Sequence, residues 1–62
     1  MNPPDEITRR EILERLGVNL RRFRRTTIYA MLRIDEIVLT RRDVRYPRAK
    51  VQSAFRARGM KF

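Results

Sequence analysis

The sequence lacks several residue types on which catalysis and covalent cross-linking depend. It contains no cysteine and no histidine, and its only serine is Ser53. Disulfide bridges and thiolate metal sites are therefore excluded, and so are the commonest metal ligand and the commonest general base. A serine–histidine–aspartate triad cannot be assembled either. We expect a protein that is not an enzyme and that uses no cofactor, metal or small-molecule substrate.

Long apolar stretches are also missing. No stretch reaches the roughly 18 apolar residues that a transmembrane helix needs, and the N-terminus does not have the apolar core of a signal peptide. We therefore expect no membrane partner and a cytoplasmic location. With 62 residues, the chain is one domain at most. A domain of that size buries only about 60% of the surface of its unfolded chain.

What the sequence has in excess is arginine. Sixteen lysines and arginines face seven aspartates and glutamates, for a net charge of +9, and fourteen of the sixteen are arginine. The guanidinium fork matches both a phosphate and the edge of guanine, so this composition favours a nucleic-acid partner. The charge is also segregated, because residues 21–33 carry five bases and no acid, whereas residues 1–20 carry four of the acids. This segregation predicts one face that meets a polyanion and one that turns away from it.

The stretch 8–16 carries the start and stop signals of a first helix. Thr8 and Glu11 have the spacing of a capping box. Gly17 can adopt the left-handed conformation that ends a helix, and Val18 can then fold back onto the last turn.

The next stretch has two interpretations. Asn19 can cap one continuous helix that runs to Arg33, and this is the interpretation that we favour. In the alternative, residues 19–25 form an arginine-rich loop, and Thr26 or Thr27 caps a shorter helix. The arginines repel one another within a helix, so contact with phosphate would help to decide between the two.

A hairpin and a last helix complete the chain. Residues 37–40 and 44–46 have strand character, and the polar residues 41–43 form a turn of suitable length. Pro47 fits the first position of a helix, and Gly59 fits its end. The order helix, helix, hairpin, helix predicts a mainly α fold with a small β-hairpin.

Apolar residues at helical or strand spacing are expected to form the core. These are Ile12, Leu13, Leu16, Val18, Ile28, Leu32, Val38, Val44, Val51 and Phe55. Phe23 has three interpretations from sequence: a core residue, an apolar wedge or a contact between subunits.

Three tripeptides in this order resemble a known family. They are L-G-V at 16–18, T-I-Y at 27–29 and V-R-Y at 44–46, followed by an amphipathic helix. The chain is similar to the small excisionase-like winged-helix proteins, a branch of the MerR-like winged-helix fold that includes phage excisionases, the Cox proteins of temperate phages and AlpA-type regulators. The resemblance covers 7–58. The chain departs from the family at 19–26, a segment that is longer here and rich in arginine.

The resemblance implies a winged helix-turn-helix over 7–58, with an N-terminal arm at 1–6 and a C-terminal tail at 59–62. It further implies that the second helix enters the major groove and that the hairpin wing reaches an adjacent minor groove. Family members bend DNA or bind cooperatively to repeated sites. Excisionases direct an integrase toward excision, and Cox-like members also repress transcription. The expected partners are therefore double-stranded DNA, an integrase and further copies of the chain, and the expected location is a bacterial host cell, in association with the nucleoid.

The candidate DNA-binding residues form three groups. The first group, expected at phosphates, is Arg21, Arg22, Arg24 and Arg25. The second, expected at base edges or phosphates, is Thr26, Thr27, Tyr29 and Arg33. The third belongs to the hairpin and its flank: Arg41 and Arg42 at the tip, suited to a narrow minor groove, with Arg45 and Arg48 beside it. For every arginine the simpler interpretation is a solvated surface charge.

Other functions fit the same composition. A small ribosome-associated RNA-binding protein has the same size and charge, although RNP-like signals are missing here. A module that inhibits an acidic protein partner also fits. Within the DNA-binding hypothesis, Asp35 and Glu36, together with the acidic first helix, are suited to contact a neighbouring basic protomer in a head-to-tail assembly.

Overall fold

The computed structural model describes residues 5–62 of the chain. About half of the chain is helical, and three short strands form one antiparallel sheet. The elements in chain order are β1 (Glu6–Thr8), α1 (Arg9–Leu16), α2 (Leu20–Phe23), α3 (Thr27–Leu32), a 3-10 helix (Arg33–Asp35), β2 (Ile37–Val38), β3 (Val44–Pro47) and α4 (Arg48–Ala57). Residues 1–4 of the predicted arm lie outside the described residues.

Helix α1 begins and ends where its local signals predict. The hydroxyl of Thr8 accepts a hydrogen bond from the backbone N–H of Glu11 at 3.2 Å. Gly17 has φ 68°, a left-handed conformation that glycine adopts without steric cost. The N–H groups of Gly17 and Val18 both donate to the carbonyl of Leu13, at 2.8 and 3.2 Å. The predicted first helix is confirmed.

The continuous helix from Asn19 to Arg33 is wrong, because the chain forms two short helices there. Asn19 caps α2 by accepting from the N–H of Arg22 at 2.9 Å. Thr26 caps α3 by accepting from the N–H of Tyr29 at 3.1 Å. The alternative interpretation was right about the Thr26 cap, although part of its loop is helical.

The break between α2 and α3 has a packing cause. Phe23 and Ile28 are both buried, with 0% and 4% of their surface exposed. At about 100° per residue, one straight helix would point these two side chains about 140° apart. The turn at 24–26 allows both to enter the same core.

Strand β3 lies in the centre of the sheet, between β1 and β2. Strand β1 was not predicted, because the sequence analysis placed Glu6 in the arm. Glu6 is paired with Pro47, and Ile7 with Tyr46. Pro47 therefore ends β3 and precedes α4, rather than being the first residue of that helix.

The hairpin is confirmed, with a shorter first strand and a longer turn than predicted. Val38 is paired with Val44, and the N–H of Leu39 donates to the carbonyl of Asp43 at 2.9 Å. The hydroxyl of Thr40 accepts from the N–H of Asp43 at 3.0 Å. Within residues 5–62 only glycines have a positive φ, and the turn contains no glycine. The side chain of Thr40 therefore closes the turn without a left-handed residue.

The core lies between the sheet and the helices. Its members are Ile7, Ile12, Phe23, Ile28, Leu32, Val44, Tyr46, Val51, Ala54 and Phe55. Leu13, Leu16 and Val18 pack against it and are only partly buried. The prediction for Val38 is wrong, since 62% of its surface is exposed at the sheet edge. Phe23 proves to be a core residue, with its ring edge-on to those of Tyr29 and Tyr46 at 5.2 and 6.4 Å between centroids.

The C-terminal tail folds back onto the domain. Gly59 ends the last helical turn with φ 69°, and the N–H of Met60 donates to the carbonyl of Phe55 at 2.8 Å. The ring of Phe62 lies edge-on to Phe55, with 5.4 Å between centroids. The guanidinium of Arg15 lies 4.4 Å from the centre of the Phe62 ring.

Candidate nucleic-acid interface

The tip of the hairpin lies beside the first helix. Arg41 and Arg42 line a shallow cleft together with Arg9 and Arg10, which occupy the first turn of α1. The register of β1 on β3 brings these arginines together. Thr8 is paired with Arg45, so the start of α1 runs alongside the hairpin turn. The cleft has an apolar wall, formed by Leu13, Val18 and Leu20.

A second cleft contains the arginines of α2. It is lined by Arg21, Arg22, Arg25, Thr26 and Asn19. Asn19 also lines the cleft at the hairpin tip. The two clefts therefore adjoin at this residue, whose carboxamide caps α2.

A third cleft adjoins the second. Arg25 and Thr26 line both, and Arg58 and Thr27 belong to the third cleft alone. We call the eight arginines of the three clefts the arginine band. They are Arg9, Arg10, Arg21, Arg22, Arg25, Arg41, Arg42 and Arg58.

The arginine band is nearly free of opposite charge. Glu14 is the one carboxylate that lines any of the three clefts. Among residues 5–62, none of the eight guanidinium groups forms an ion pair. Like charges in a concave surface focus the electrostatic potential, so the band attracts an extended anion.

Several candidate residues lie outside the three clefts. Arg24 follows α2 and Arg33 starts the 3-10 helix, and both are exposed. Tyr29 is half-buried against Phe23. Arg48 is the first residue of α4. The structure therefore does not bring all of the predicted residues together.

Arg45 is paired with carboxylates, although its side chain is partly exposed. Its guanidinium donates to both carboxylate oxygens of Asp43, at 3.0 and 3.2 Å, and lies 3.6 Å from Glu6. The hydrogen bond and charge of Asp43 raise the pKa of Arg45 above its ordinary value, and the charge of Glu6 adds to this. Because its donors are engaged, Arg45 is a weak candidate for a phosphate contact.

Thr26 is also engaged within the fold. Its hydroxyl donates to the carbonyl of Phe23 at 2.7 Å while it accepts from the N–H of Tyr29. Thr27, next along the chain, is exposed and lines the third cleft. Thr27 is therefore the better candidate for contact with a ligand.

Four residues of this surface were not predicted from the sequence. Arg9 and Arg10 were assigned to an acidic helix that turns away from the polyanion, and Asn19 and Arg58 were given no contact. The acids of α1 are in fact divided: Glu11 lies 3.6 Å from Arg15, while Glu14 lines the cleft. A dipeptide of arginines directly after a capping threonine was the available signal, because it fixes Arg9 and Arg10 in the first turn.

Residues 5–62 contain neither a metal site nor a membrane-spanning helix. No group of three or more acidic, histidine or cysteine side chains is placed to hold a metal ion. No helix in this part of the chain has the length and apolar character needed to cross a membrane.

Comparison with protein-family models, with curated proteins and with solved structures gives no match to this chain.

Proposed function

We propose that this protein binds duplex DNA through the arginine band. The observation that carries the proposal is the continuity of the clefts: Asn19 joins the hairpin-tip cleft to the α2 cleft, and eight arginines face a single carboxylate. Guanidinium groups bind phosphate oxygens bidentately. A duplex presents phosphates along two strands, so it can occupy several parts of a curved basic surface at once.

We infer that the fold acts as a winged helix-turn-helix, with the hairpin as its wing. The resemblance to excisionase-like proteins supports this inference, as does the order of helices and hairpin. Arg41 and Arg42 line a cleft with α1, so DNA that contacts the wing also meets Arg9 and Arg10. Helix α3 is the candidate for the major groove, with Thr27 exposed at its start.

We further propose a regulatory role of the phage or mobile-element type. The resemblance supports recombination directionality, in which the protein bends DNA and assists an integrase, and promoter repression. An excision assay on a supercoiled substrate with the cognate integrase separates these roles, because a repressor alone does not raise the yield of excised product.

The first experiment measures binding of labelled random-sequence duplex DNA by fluorescence anisotropy over a range of salt concentrations. Four phosphate contacts would give a log–log slope of about −3.6. We expect the double variant Arg22→Gln with Arg42→Gln to bind more weakly and to lower the steepness by about 1.8, since each lost phosphate contact removes about 0.9.

The matched control is Arg56→Gln, which removes a charge from an exposed arginine of α4 that lines none of the three clefts. It should leave the slope close to that of the wild type. Absence of duplex binding at low salt would refute the proposal. Tighter binding to structured RNA of equal length would favour the RNA-binding alternative.

A further inference from the structure

Strand β2 leaves one edge of the sheet open. The strand order β1-β3-β2 places β2 at the margin, and three apolar side chains are exposed on it and its flanks: Ile34 at 86%, Val38 at 62% and Leu39 at 55%. Proline, lysine, a bulge or a very short length protects natural edge strands, and of these β2 has only its length of two residues. The segment 34–40 contains no proline, lysine or glycine, so this edge can pair with another strand.

The backbone register shows which residue offers hydrogen bonds to such a strand. Leu39 donates to Asp43 across the hairpin. Hydrogen-bonded and non-hydrogen-bonded pairs alternate along antiparallel strands. The next pair, Val38 with Val44, is therefore of the non-hydrogen-bonded kind. The N–H and C=O of Val38 thus point away from β3, toward the open edge.

We propose that a second copy of this chain pairs with β2 across a two-fold axis that passes through Val38. In this arrangement Val38 and the partner's Val38 exchange two backbone hydrogen bonds, and the two sheets join into one antiparallel sheet. The side chain of Val38 lies on the same face of the sheet as its paired residue Val44, which belongs to the core. The contact therefore covers an apolar side chain that the single chain leaves exposed.

In this arrangement the acidic residues of one copy lie near the basic residues of the other. An antiparallel pair centred on Val38 sets Ile37 opposite the partner's Leu39. Asp35 belongs to the 3-10 helix before β2, and Arg41 to the turn after it. Because the two copies run antiparallel, the acidic end of each lies on the side of the partner's hairpin tip, twice by symmetry, and such charge complementarity favours association. Residues 34–39 carry two acids and no base in a chain of charge +9, so two copies approach here with less repulsion than at the arginine band.

A head-to-tail contact would use the same acids differently. Asp35 and Glu36 of one copy would meet the arginine band of the next, and the backbone of Val38 would stay unpaired. Such heterologous contacts continue into open chains unless they close as a ring, whereas a two-fold contact stops at two copies. The size of the assembly therefore distinguishes the two arrangements.

The test is sedimentation equilibrium of the full chain without DNA, over protein concentrations from about 10 µM to about 1 mM. We expect a reversible monomer–dimer equilibrium. Val38→Asp should raise the Kd of the dimer by about tenfold or more, because it sets two carboxylates opposite each other on the axis. Met31→Asp, at an exposed apolar residue of α3, should leave the Kd unchanged. Circular dichroism establishes that each variant is folded.

A charge exchange tests the antiparallel orientation of the two copies separately. Asp35→Arg alone and Arg41→Asp alone should each weaken the dimer, and the two together should restore it. A wild type that stays monomeric throughout, a Val38→Asp protein that dimerises like the wild type, or growth beyond two copies would overturn the proposal. None of these measurements involves DNA, so failure here leaves the DNA-binding proposal standing, and the reverse also holds.

Discussion

Tyr46 shows how one residue joins the core to a surface charge. Its side chain is fully buried, and its hydroxyl donates to the carboxylate of Glu36 at 2.6 Å. Burial raises the pKa of this phenol well above its ordinary value, and the hydrogen bond and charge of Glu36 add to the effect. The neutral phenol is therefore required in the folded state.

The pKa of Tyr46 makes stability depend on alkaline pH. Because the folded pKa is raised above the unfolded value, the contribution is complete below about pH 10 and declines as the pH rises above it. We expect the free energy of unfolding, measured with urea, to fall as the pH rises above about 10, toward the raised pKa of the folded state. Tyr46→Phe should be less stable at pH 8, by about 1–2 kcal/mol, and should show a smaller alkaline decline. Equal declines in both proteins would contradict this assignment.

Residues whose role is set by their neighbours in sequence were predictable, and residues placed by distant contacts were not. Thr8 and Gly17 act within one helical turn of their position, so their roles follow from spacing. Tyr46 gave no such signal, because its burial depends on pairing with Ile7, 39 positions away. The prediction that Val38 is a core residue failed for a related reason: the alternation of apolar and polar residues does not reveal which strand lies at the edge of the sheet.

At the scale of elements, the turn at Thr26 decides how the middle of the chain folds. Its hydroxyl caps α3 and also holds the carbonyl of Phe23. Thr26→Ala should lower the free energy of unfolding by about 1–2 kcal/mol, as measured by urea denaturation. Thr26→Ser should recover most of the loss. The control Thr27→Ala, at an exposed neighbour, should change the stability by less than about 0.5 kcal/mol. Equal effects of the two alanine variants would show that Thr26 is not the cap that matters.

The order of helices and hairpin was predictable because caps, a glycine stop and a polar turn mark their ends. For 19–33 the sequence offered both a continuous helix and a helix capped at Thr26 and did not decide between them. Every residue from Leu20 to Arg25 tolerates a helix, and the need to bury both Phe23 and Ile28 appears only in the folded chain. Strand β1 has only three residues, too few for an alternating pattern. Its existence depends on β3, which lies far along the chain. The arginine band could be predicted at α2 and at the hairpin tip, but not where the fold adds α1 to it.

At the scale of the whole molecule, the arginine band that serves the proposed function opposes folding. Eight guanidinium groups share one set of clefts with a single carboxylate, and like charges confined in a compact state repel each other. Added salt screens this repulsion, since the Debye length falls from about 30 Å at 0.01 M to about 8 Å at 0.15 M.

We expect the urea midpoint of the wild type to rise over this range of salt. The double variant Arg22→Gln with Arg42→Gln should start from a higher midpoint at low salt and gain less. Arg56→Gln should respond to salt like the wild type, because it leaves the band intact. A wild-type midpoint that is independent of salt, or a double variant that is less stable than the wild type at low salt, would mean that repulsion within the band does not destabilise the fold. If the protein binds DNA as proposed, DNA relieves the same repulsion, and at about 100 times its Kd it adds about 2.7 kcal/mol to the stability of the folded chain.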